Sequence, residues 1–234
     1  MTSPSSGRAH AVVARARRPE YSFGIVLILI LVALTFQVAT PETEWARFVT
    51  VVLHGTVMMA ALLASRAHPI LIRLAAVAVT VALIVSGVAL VGPGHVNEVP
   101  AAAVNLMFVG LTPIVVARGL IRELRDERAV TIRTMFGVLC IYLLIGTFFA
   151  FVFGVIEGVG DTRFFPRVLD PDASDFLYYS FATLTTVGYG DLVTTNELGR
   201  SLAITEALIG QIYLVTLVAL IVSNLGRGGP RRNA

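Results

Sequence analysis

Seven consecutive residues, Thr185 to Asp191 (TTVGYGD), form the pattern in this chain that is best suited to binding an ion. A cation that crosses a membrane must shed water, and backbone carbonyls can replace that water without adding a fixed charge. Gly188 and Gly190 permit the positive φ values that let successive carbonyls point the same way. Val187 and Tyr189 alternate with these glycines, so their side chains can pack away from the carbonyls. The pattern predicts a row of main-chain oxygens that binds a dehydrated cation.

A short helix is expected to position this row. Pro171, Asp172 and Ser174 are helix-start signals, and the amphipathic segment from Asp175 to Thr185 is too short to cross a bilayer. We expect the helix to enter the membrane and stop midway, with the partial negative charge of its carboxyl end facing a cation. Non-helical backbone at membrane depth is tolerated only when buried in protein or lining water. The residues after the helix should therefore line a cavity.

The composition supports a membrane location. Hydrophobic residues make up 56% of the chain and charged residues 14%, and the mean hydropathy is +0.81, which is too apolar for an ordinary soluble domain. Each apolar run is close to the ~20 residues that a membrane-spanning helix needs. Six such runs occur: Tyr21–Ala39, Phe48–Ser65, Ile70–Val91, Pro100–Ala117, Thr134–Ile156 and Leu198–Asn224.

The distribution of charge predicts the orientation. The first run could be a signal peptide because basic residues precede it, but it is longer than a usual signal core and lacks a clean cleavage site, so a retained helix fits better. If residues 1–20 are cytoplasmic, thirteen of the eighteen arginines lie inside, which places both termini in the cytoplasm. Ten of the fifteen acidic residues then lie outside, seven of them within Glu157–Glu197. They either raise the local cation concentration or form a solvated loop.

The TTVGYGD string, directly after a short helix and between two long apolar runs, resembles the potassium-channel family, whose selectivity filter carries the same TVGYG. The resemblance implies an all-α membrane protein with six transmembrane helices, a re-entrant pore helix and a selectivity-filter loop, which conducts K⁺ passively. It implies that the carbonyls of Thr186, Val187, Gly188 and Tyr189 and the Thr186 hydroxyl bind K⁺, with Gly190 completing the filter. The chain has one such segment, so four copies must meet in a homotetramer.

The resemblance also suggests residues that support the filter. Thr185 and Asp191 flank it, and Tyr178 and Tyr179 match an aromatic pair that packs around the filter tyrosine in the family. Interfacial tyrosines are the alternative explanation of that pair. Gly210 falls where a hinge glycine commonly sits in the inner helix, although glycine also serves close packing in any membrane helix.

Two polar residues in the last run have open roles. Glu206 is costly at membrane depth unless it meets water, a donor or a cation. It either faces the cavity, where it tunes ion occupancy or responds to pH, or lies buried behind the filter, protonated or bonded to a hydroxyl such as that of Thr183 or Tyr178. Gln211 is expected to face the cavity.

Thr194 stands where many members have proline, a departure that should change the outer mouth only.

The chain therefore divides into five parts: a cytoplasmic tail (1–20), a four-helix transmembrane bundle (21–117), a cytoplasmic connector (118–133), a pore domain (134–225) and a second cytoplasmic tail (226–234). The fourth run has no arginine before Arg118. The usual voltage sensor would have no charge to move, so voltage gating is not expected. His54 in the second run is either a proton sensor or a histidine held by ordinary hydrogen bonds.

Other classes of protein fit less well. The single cysteine, Cys140, cannot form an intrachain disulfide, and the basic residues are too few for a nucleic-acid surface. No nucleophile, base and metal-ligand set converges, so neither an enzyme nor a cofactor is expected, with K⁺ as the permeant species. The expected partners are further copies of the chain and membrane lipid, and an unidentified regulatory subunit stays open. The alternatives are a potassium-uptake transporter subunit and a non-conducting accessory protein.

Overall fold

The computed structural model describes residues 23–41, 43–91, 99–127, 132–160 and 162–225. The predicted tails, residues 1–20 and 226–234, lie outside this part of the chain. The described residues form helices and no strands, so the predicted all-α class is confirmed for them. The helices are α1 (Phe23–Ala39), α2 (Glu44–Ala64), α3 (Pro69–Val91), α4 (Val99–Glu127), α5 (Ile132–Val159), α6 (Ala173–Leu184) and α7 (Glu197–Leu225).

Helices occupy the positions of all six predicted spans. Within the described ranges, α2, α3, α4 and α5 are long and apolar enough to cross a membrane. Helix α1 is apolar but is described from Phe23 onward and has 17 residues. Helix α7 has 29 residues and is not among these four spans within the described part of the chain. Four spans are therefore supported, and the count of six stays a prediction.

The first four helices are joined to α5 by a shared core. Side chains from α1, α2 and α4 pack against α5 in one apolar cluster: Phe23, Val26, Ile30, Val57, Ala61, Val116, Cys140 and Leu144. A second cluster joins α2, α3 and α4. Large apolar side chains on α3 stay exposed, including Ile70, Leu74, Val77 and Val81. An apolar surface of this kind suits contact with hydrocarbon better than contact with water.

Helix α4 is longer than its apolar run. The run ends at Ala117, but the helix continues to Glu127, so most of the predicted connector is helical. Arginine and glutamate are good helix formers, and the segment contains no proline that would end the helix. Gly119 allows a close approach to α2, because a Cβ there would lie 2.5 Å from the Ser65 hydroxyl oxygen.

Helix α6 corresponds to the predicted short helix and begins two residues before the predicted start. Asp172 caps it: its side chain accepts hydrogen bonds from the backbone N–H groups of Ser174 and Asp175, at 2.9 and 3.0 Å. The Asp175 carboxylate in turn accepts from the Asp172 N–H, which completes a capping box. Helix α6 packs between α5 and α7, so the residues that follow it are positioned by the last two long helices.

Candidate ion-binding site

The carboxyl end of α6 closes in a defined turn. The N–H of Thr186 donates to the Thr183 carbonyl, and the N–H of Val187 donates to the Ala182 carbonyl, both at 2.9 Å. This pair of bonds is the Schellman arrangement, which requires a left-handed residue just after the helix. Thr186 occupies that place with φ +59°. A β-branched residue is disfavoured there by roughly 1–3 kcal/mol, and strain of this kind is concentrated at functional sites.

Positive φ values recur at every second residue of the TTVGYGD loop (Thr185–Asp191). They occur at Thr186 (+59°), Gly188 (+53°) and Gly190 (+79°). Val187 and Tyr189 between them have no positive φ. In an ordinary extended chain successive carbonyls point to opposite sides, and reversing the sign of φ at alternate residues turns them toward one side. The signs of φ along the loop are those that a row of oxygens on one face would require.

The side chains of this loop are exposed on the single chain. Val187 is 52% exposed and Tyr189 is 72% exposed. No neighbouring atom lies within 4 Å of the place that a Cβ would take at Gly188 or Gly190. The loop thus projects from its own chain, and its packing against surrounding protein stays a prediction.

The outer end of the loop is tied to α6. The Tyr178 hydroxyl donates a hydrogen bond of 2.8 Å to the Asp191 carboxylate. This bond holds the pKa of Asp191 below its ordinary value, because it favours the charged form. The Tyr178 ring also stacks on Tyr189, with centroids 6.2 Å apart and planes 8° apart. Tyr178 therefore contacts the loop at two points.

Tyr179 faces the other way. Its ring packs edge-on against three phenylalanines, with centroid distances of 5.2 Å to Phe153, 5.7 Å to Phe164 and 5.2 Å to Phe165. These phenylalanines belong to a buried cluster that joins α5, the outer loop and α6. Within a single chain, the two predicted filter-supporting tyrosines thus have different contacts, one on the loop and one in the core.

Glu206 lies behind α6 and is completely buried, with 0% exposure. Its Oε1 lies 2.5 Å from the Ser180 hydroxyl oxygen, which in turn lies 2.6 Å from the Gly146 carbonyl oxygen. The predicted hydroxyl partners, Thr183 and Tyr178, do not make this contact. Ser180 lies on α6 and contacts both α5 and α7. It was not among the residues predicted from the sequence. Its only signal was its position on the α6 face opposite Tyr178.

The single hydroxyl hydrogen of Ser180 indicates the protonation state of the Glu206 carboxyl group. A serine hydroxyl has one hydrogen to donate, and the Gly146 carbonyl can only accept. Both short contacts of Ser180 are satisfied together only if Glu206 carries a proton and donates it to the Ser180 oxygen. The second carboxyl oxygen of Glu206, Oε2, is buried without a hydrogen-bond partner in the described part of the chain. An unpaired oxygen costs far less in a neutral acid than in a buried carboxylate.

Gly210 lies where α7 meets the end of α6. A Cβ at this position would be 2.6 Å from the Leu184 carbonyl oxygen, so any larger residue would push against α6 backbone. Nearby, the Tyr213 hydroxyl donates to the Val138 carbonyl at 2.6 Å and holds α7 to α5. Gln211, the next residue, is exposed on the single chain. This geometry accounts for Gly210 through close packing, and a hinge role stays a prediction.

Residues in the segments that flank α6 and the TTVGYGD loop have local structural roles. The Thr194 carbonyl accepts a hydrogen bond of 3.2 Å from Arg200, and the Asn196 side chain caps α7 by accepting from Leu198 N–H at 2.9 Å. Glu157 accepts a hydrogen bond from the Phe164 N–H. Asp161, another of the predicted outer carboxylates, lies outside the described residues. Within the described ranges, no three His, Cys, Asp or Glu side chains cluster as a metal site would require.

Comparisons with known proteins point to ion channels. Residues 137–227, from α5 through α7, match a family model described as "Ion channel". The chain is 38% identical over 104 residues to Two pore potassium channel a of Oryza sativa subsp. japonica, an alignment that covers 44% of this chain and 26% of the relative. The chain thus spans about a quarter of that relative's length. No solved structure matches. Part of this chain is therefore similar to ion channels, one of them a potassium channel.

Proposed function

We propose that four copies of this chain assemble in a membrane around their TTVGYGD loops and conduct K⁺ passively. The ion loses water, binds successive rings of carbonyl oxygens and leaves by repulsion between neighbouring ions. The carbonyls of Thr186 to Tyr189 and the Thr186 hydroxyl supply the oxygens. Because K⁺ is the cargo, the protein needs no resident cofactor.

The observation that most supports this proposal is the alternation of φ along the loop. Thr186, Gly188 and Gly190 have left-handed φ values directly where α6 ends, which is the alternation that carbonyls facing one side would need. Helix α6 contributes the partial negative charge of its carboxyl end at the same place. One chain supplies only one wall of an ion site, so a closed ring needs further copies around an axis.

The exposed surface of the single chain also favours assembly. Val187 and Tyr189 are exposed, and so is an apolar stripe along α7. The members of that stripe recur at helical spacing on one face: Ile204, Leu208, Ile212 and Val215. A neighbouring copy that covers the loop and this stripe would bury both, as a cyclic tetramer requires.

The proposed topology follows the charge distribution. Six spans cross the membrane, both termini are cytoplasmic, and α6 enters from the outer side and returns as the loop. The bundle (21–117) surrounds the pore domain (134–225), and the connector (118–133) lies at the cytoplasmic surface. Arg118, Arg122 and Arg125 lie beyond the apolar run of α4, so under this topology they are at the cytoplasmic surface and give no conventional voltage sensor.

The test is an ion flux assay in liposomes. Purified protein is reconstituted, and K⁺ flux is compared with Na⁺ flux for the wild type and for Gly188→Asp. The substitution places a side chain at a φ that only glycine adopts readily, while no atom of the same chain lies close enough to prevent folding. Gly158→Asp is the matched control, because Gly158 also faces open space but lies at the end of α5.

We expect K⁺ flux to exceed Na⁺ flux by about a hundredfold or more, to be abolished in Gly188→Asp and to persist in Gly158→Asp, as carbonyl-ring selectivity requires. Equal permeability to both ions would refute selectivity. Flux that survives Gly188→Asp would place the pore elsewhere.

A further inference from the structure

A cavity of about 430 Å³ lies between the first four helices and the pore domain. Its lining comes from α1, α2, α4, α5, the loop residues 169–172 and the first turn of α6. The volume falls in the range of small-molecule sites. Under the proposed topology, the ends of the helices that form it face the outer side of the membrane.

The innermost polar groups of the cavity are Gln37 and Asn105, which we call the floor. They are 7% and 5% exposed, and both line the cavity. Each is bonded to the buried His54 on its other side. Gln37 Nε2 lies 3.2 Å from His54 Nε2, and Asn105 Oδ1 lies 3.1 Å from His54 Nδ1.

The floor must present one donor and one acceptor to the cavity. A neutral imidazole has one donor and one acceptor nitrogen. One of the two side-chain amides must therefore turn its NH₂ group toward His54, and the other must turn its carbonyl oxygen. In the arrangement described here, Gln37 donates to His54 and keeps its carbonyl free, while Asn105 accepts and keeps its NH₂ free. In the other tautomer of His54, Gln37 would accept and Asn105 would donate. One free donor and one free acceptor would still face the cavity. Neither free end has a hydrogen-bond partner within the described ranges, so the floor is complementary to a hydroxyl group.

The rest of the lining favours a cation with an apolar body. Phe36, Phe151 and Phe176 supply aromatic surface, which attracts organic cations through cation–π contacts. The more exposed lining, which we call the mouth, holds three carboxylates and one arginine: Glu157, Asp170, Asp172 and Arg47. Arg47 is already paired with Glu44 at 3.8 Å. The mouth therefore has a net negative charge.

We propose that this cavity binds a small aromatic or branched amine that also carries a hydroxyl group. The hydroxyl contacts Gln37 and Asn105, the apolar body packs against the phenylalanines, and the ammonium group lies near Asp170 and Glu157. An ethanolamine phospholipid offers the same ammonium group, but its hydroxyl is esterified to phosphate, so the test must separate it from a free amino alcohol.

An occupant of the cavity would contact the start of α6. Asp172, which caps α6, and Phe176 in its first turn both line the cavity. The opposite end of the same short helix leads into the TTVGYGD loop. The site therefore gives an outer ligand direct contact with the helix that positions the loop.

The binding test uses the full-length protein in nanodiscs of phosphatidylcholine and phosphatidylglycerol. Trp45 is the sole tryptophan of the chain and packs edge-on against Phe36, with centroids 6.0 Å apart, so its fluorescence reports on the cavity. Three probes are titrated: 2-amino-1-phenylethanol, phenethylamine, which lacks the hydroxyl, and 1-phenylethane-1,2-diol, which lacks the charge. The readout is binding and not ion flux, so failure here is distinct from failure of the proposed pore.

We expect the amino alcohol to bind about tenfold more tightly than either analogue, since one hydrogen bond to an otherwise unpaired buried group is worth about that factor. Asn105→Leu should remove the advantage of the hydroxyl. Asp170→Asn, at an exposed position where folding is not at risk, should weaken both amines about two- to fivefold and leave the diol unchanged. Glu197→Gln, an exposed carboxylate outside the cavity, should change nothing.

Equal affinities for the three probes would overturn the proposal, as would equal losses in Asp170→Asn and Glu197→Gln. If ethanolamine phospholipid added to the nanodisc displaces the amino alcohol, the lipid headgroup occupies the cavity and the assignment of a hydroxyl-bearing ligand is overturned. Absence of competition with the same probe preferences assigns the site to a free ligand.

Discussion

Replacing Glu206 by alanine should destabilise the packing behind the TTVGYGD loop, whereas replacing it by glutamine should not. The carboxyl group is completely buried, and its proton completes the Ser180 contact that joins α6 to α5 and α7. Glutamine keeps the shape and offers an N–H donor to Ser180 in place of the acid hydrogen. Alanine removes the donor and leaves a void.

The magnitude follows from what is lost. The hydrogen bond contributes about 0.5–1.5 kcal/mol. Loss of one buried methylene costs about 0.8 kcal/mol, and the residual cavity adds about 1 kcal/mol. Glu206→Ala should therefore lower the free energy of unfolding by about 2–3 kcal/mol, which corresponds to a fall in melting temperature of about 5–10 °C for a chain of this size. Glu206→Gln should stay within about 1 kcal/mol of the wild type.

The assay is thermal unfolding of the purified protein in detergent, followed by tryptophan fluorescence and circular dichroism. A double-mutant cycle with Ser180→Ala should give a coupling energy of about 0.5–1.5 kcal/mol between the two residues. If Glu206 were ionised, glutamine would remove a buried unpaired charge and raise stability by several kcal/mol. A melting temperature of Glu206→Gln well above that of the wild type would therefore refute the hydrogen count at Ser180.

Three further substitutions test the site. Thr186→Gly should raise stability by about 1 kcal/mol by relieving the positive φ, yet lower the K⁺/Na⁺ flux ratio because the hydroxyl ligand is lost; an unchanged melting temperature would argue against strain. Tyr178→Phe should raise the pKa of Asp191 toward its ordinary value, because the hydrogen bond that lowers it is gone. In the wild type that bond stabilises the loop above the ordinary Asp191 pKa of 3.8 and is lost as pH falls through the lowered pKa; Tyr178→Phe lacks it at every pH, so its K⁺ flux should already be reduced at neutral pH and should fall less on acidification than that of the wild type. Gly210→Ala should cost about 1–3 kcal/mol because its Cβ meets the Leu184 carbonyl, whereas Gly158→Ala, which faces open space, should cost almost nothing.

Local sequence signals predicted the helices well. Apolar runs of membrane-spanning length located six of the seven helices, and Asp172 marked the start of α6 because its side chain caps the first turn. The end of α4 was not predicted from the same signal. Hydrophobicity ends at Ala117, but a helix ends only where its backbone bonds end, and the charged residues up to Glu127 continue them.

Partners across the fold could not be predicted from the sequence. Glu206 could be recognised as a costly buried acid, but its partner Ser180 depends on how α6 packs against α7. His54 likewise could be assigned ordinary hydrogen bonds, but not to Gln37 and Asn105, which are 17 and 51 residues away in the chain. Such contacts are set by helix packing, and sequence spacing carries no information about them.

The conformation of the TTVGYGD loop could be predicted from the sequence only in part. Its glycines predict left-handed backbone, and Gly188 and Gly190 have it. The left-handed conformation of Thr186 was not predicted, because a β-branched residue disfavours it. It arises from the Schellman turn at the end of α6, so the end of the helix and the start of the proposed ion-binding loop are parts of the same backbone turn.

The central claim, that four loops form one pore, is tested most directly by mixing subunits. Wild-type and Gly188→Asp chains are co-expressed in equal amounts, purified together and reconstituted, and K⁺ flux is measured against the wild type at equal total protein. If one altered loop disables a ring of four, about one sixteenth of the flux should remain, since only that share of tetramers is wholly wild type. A residual flux of about one half would mean that each chain conducts alone, and would contradict the shared pore.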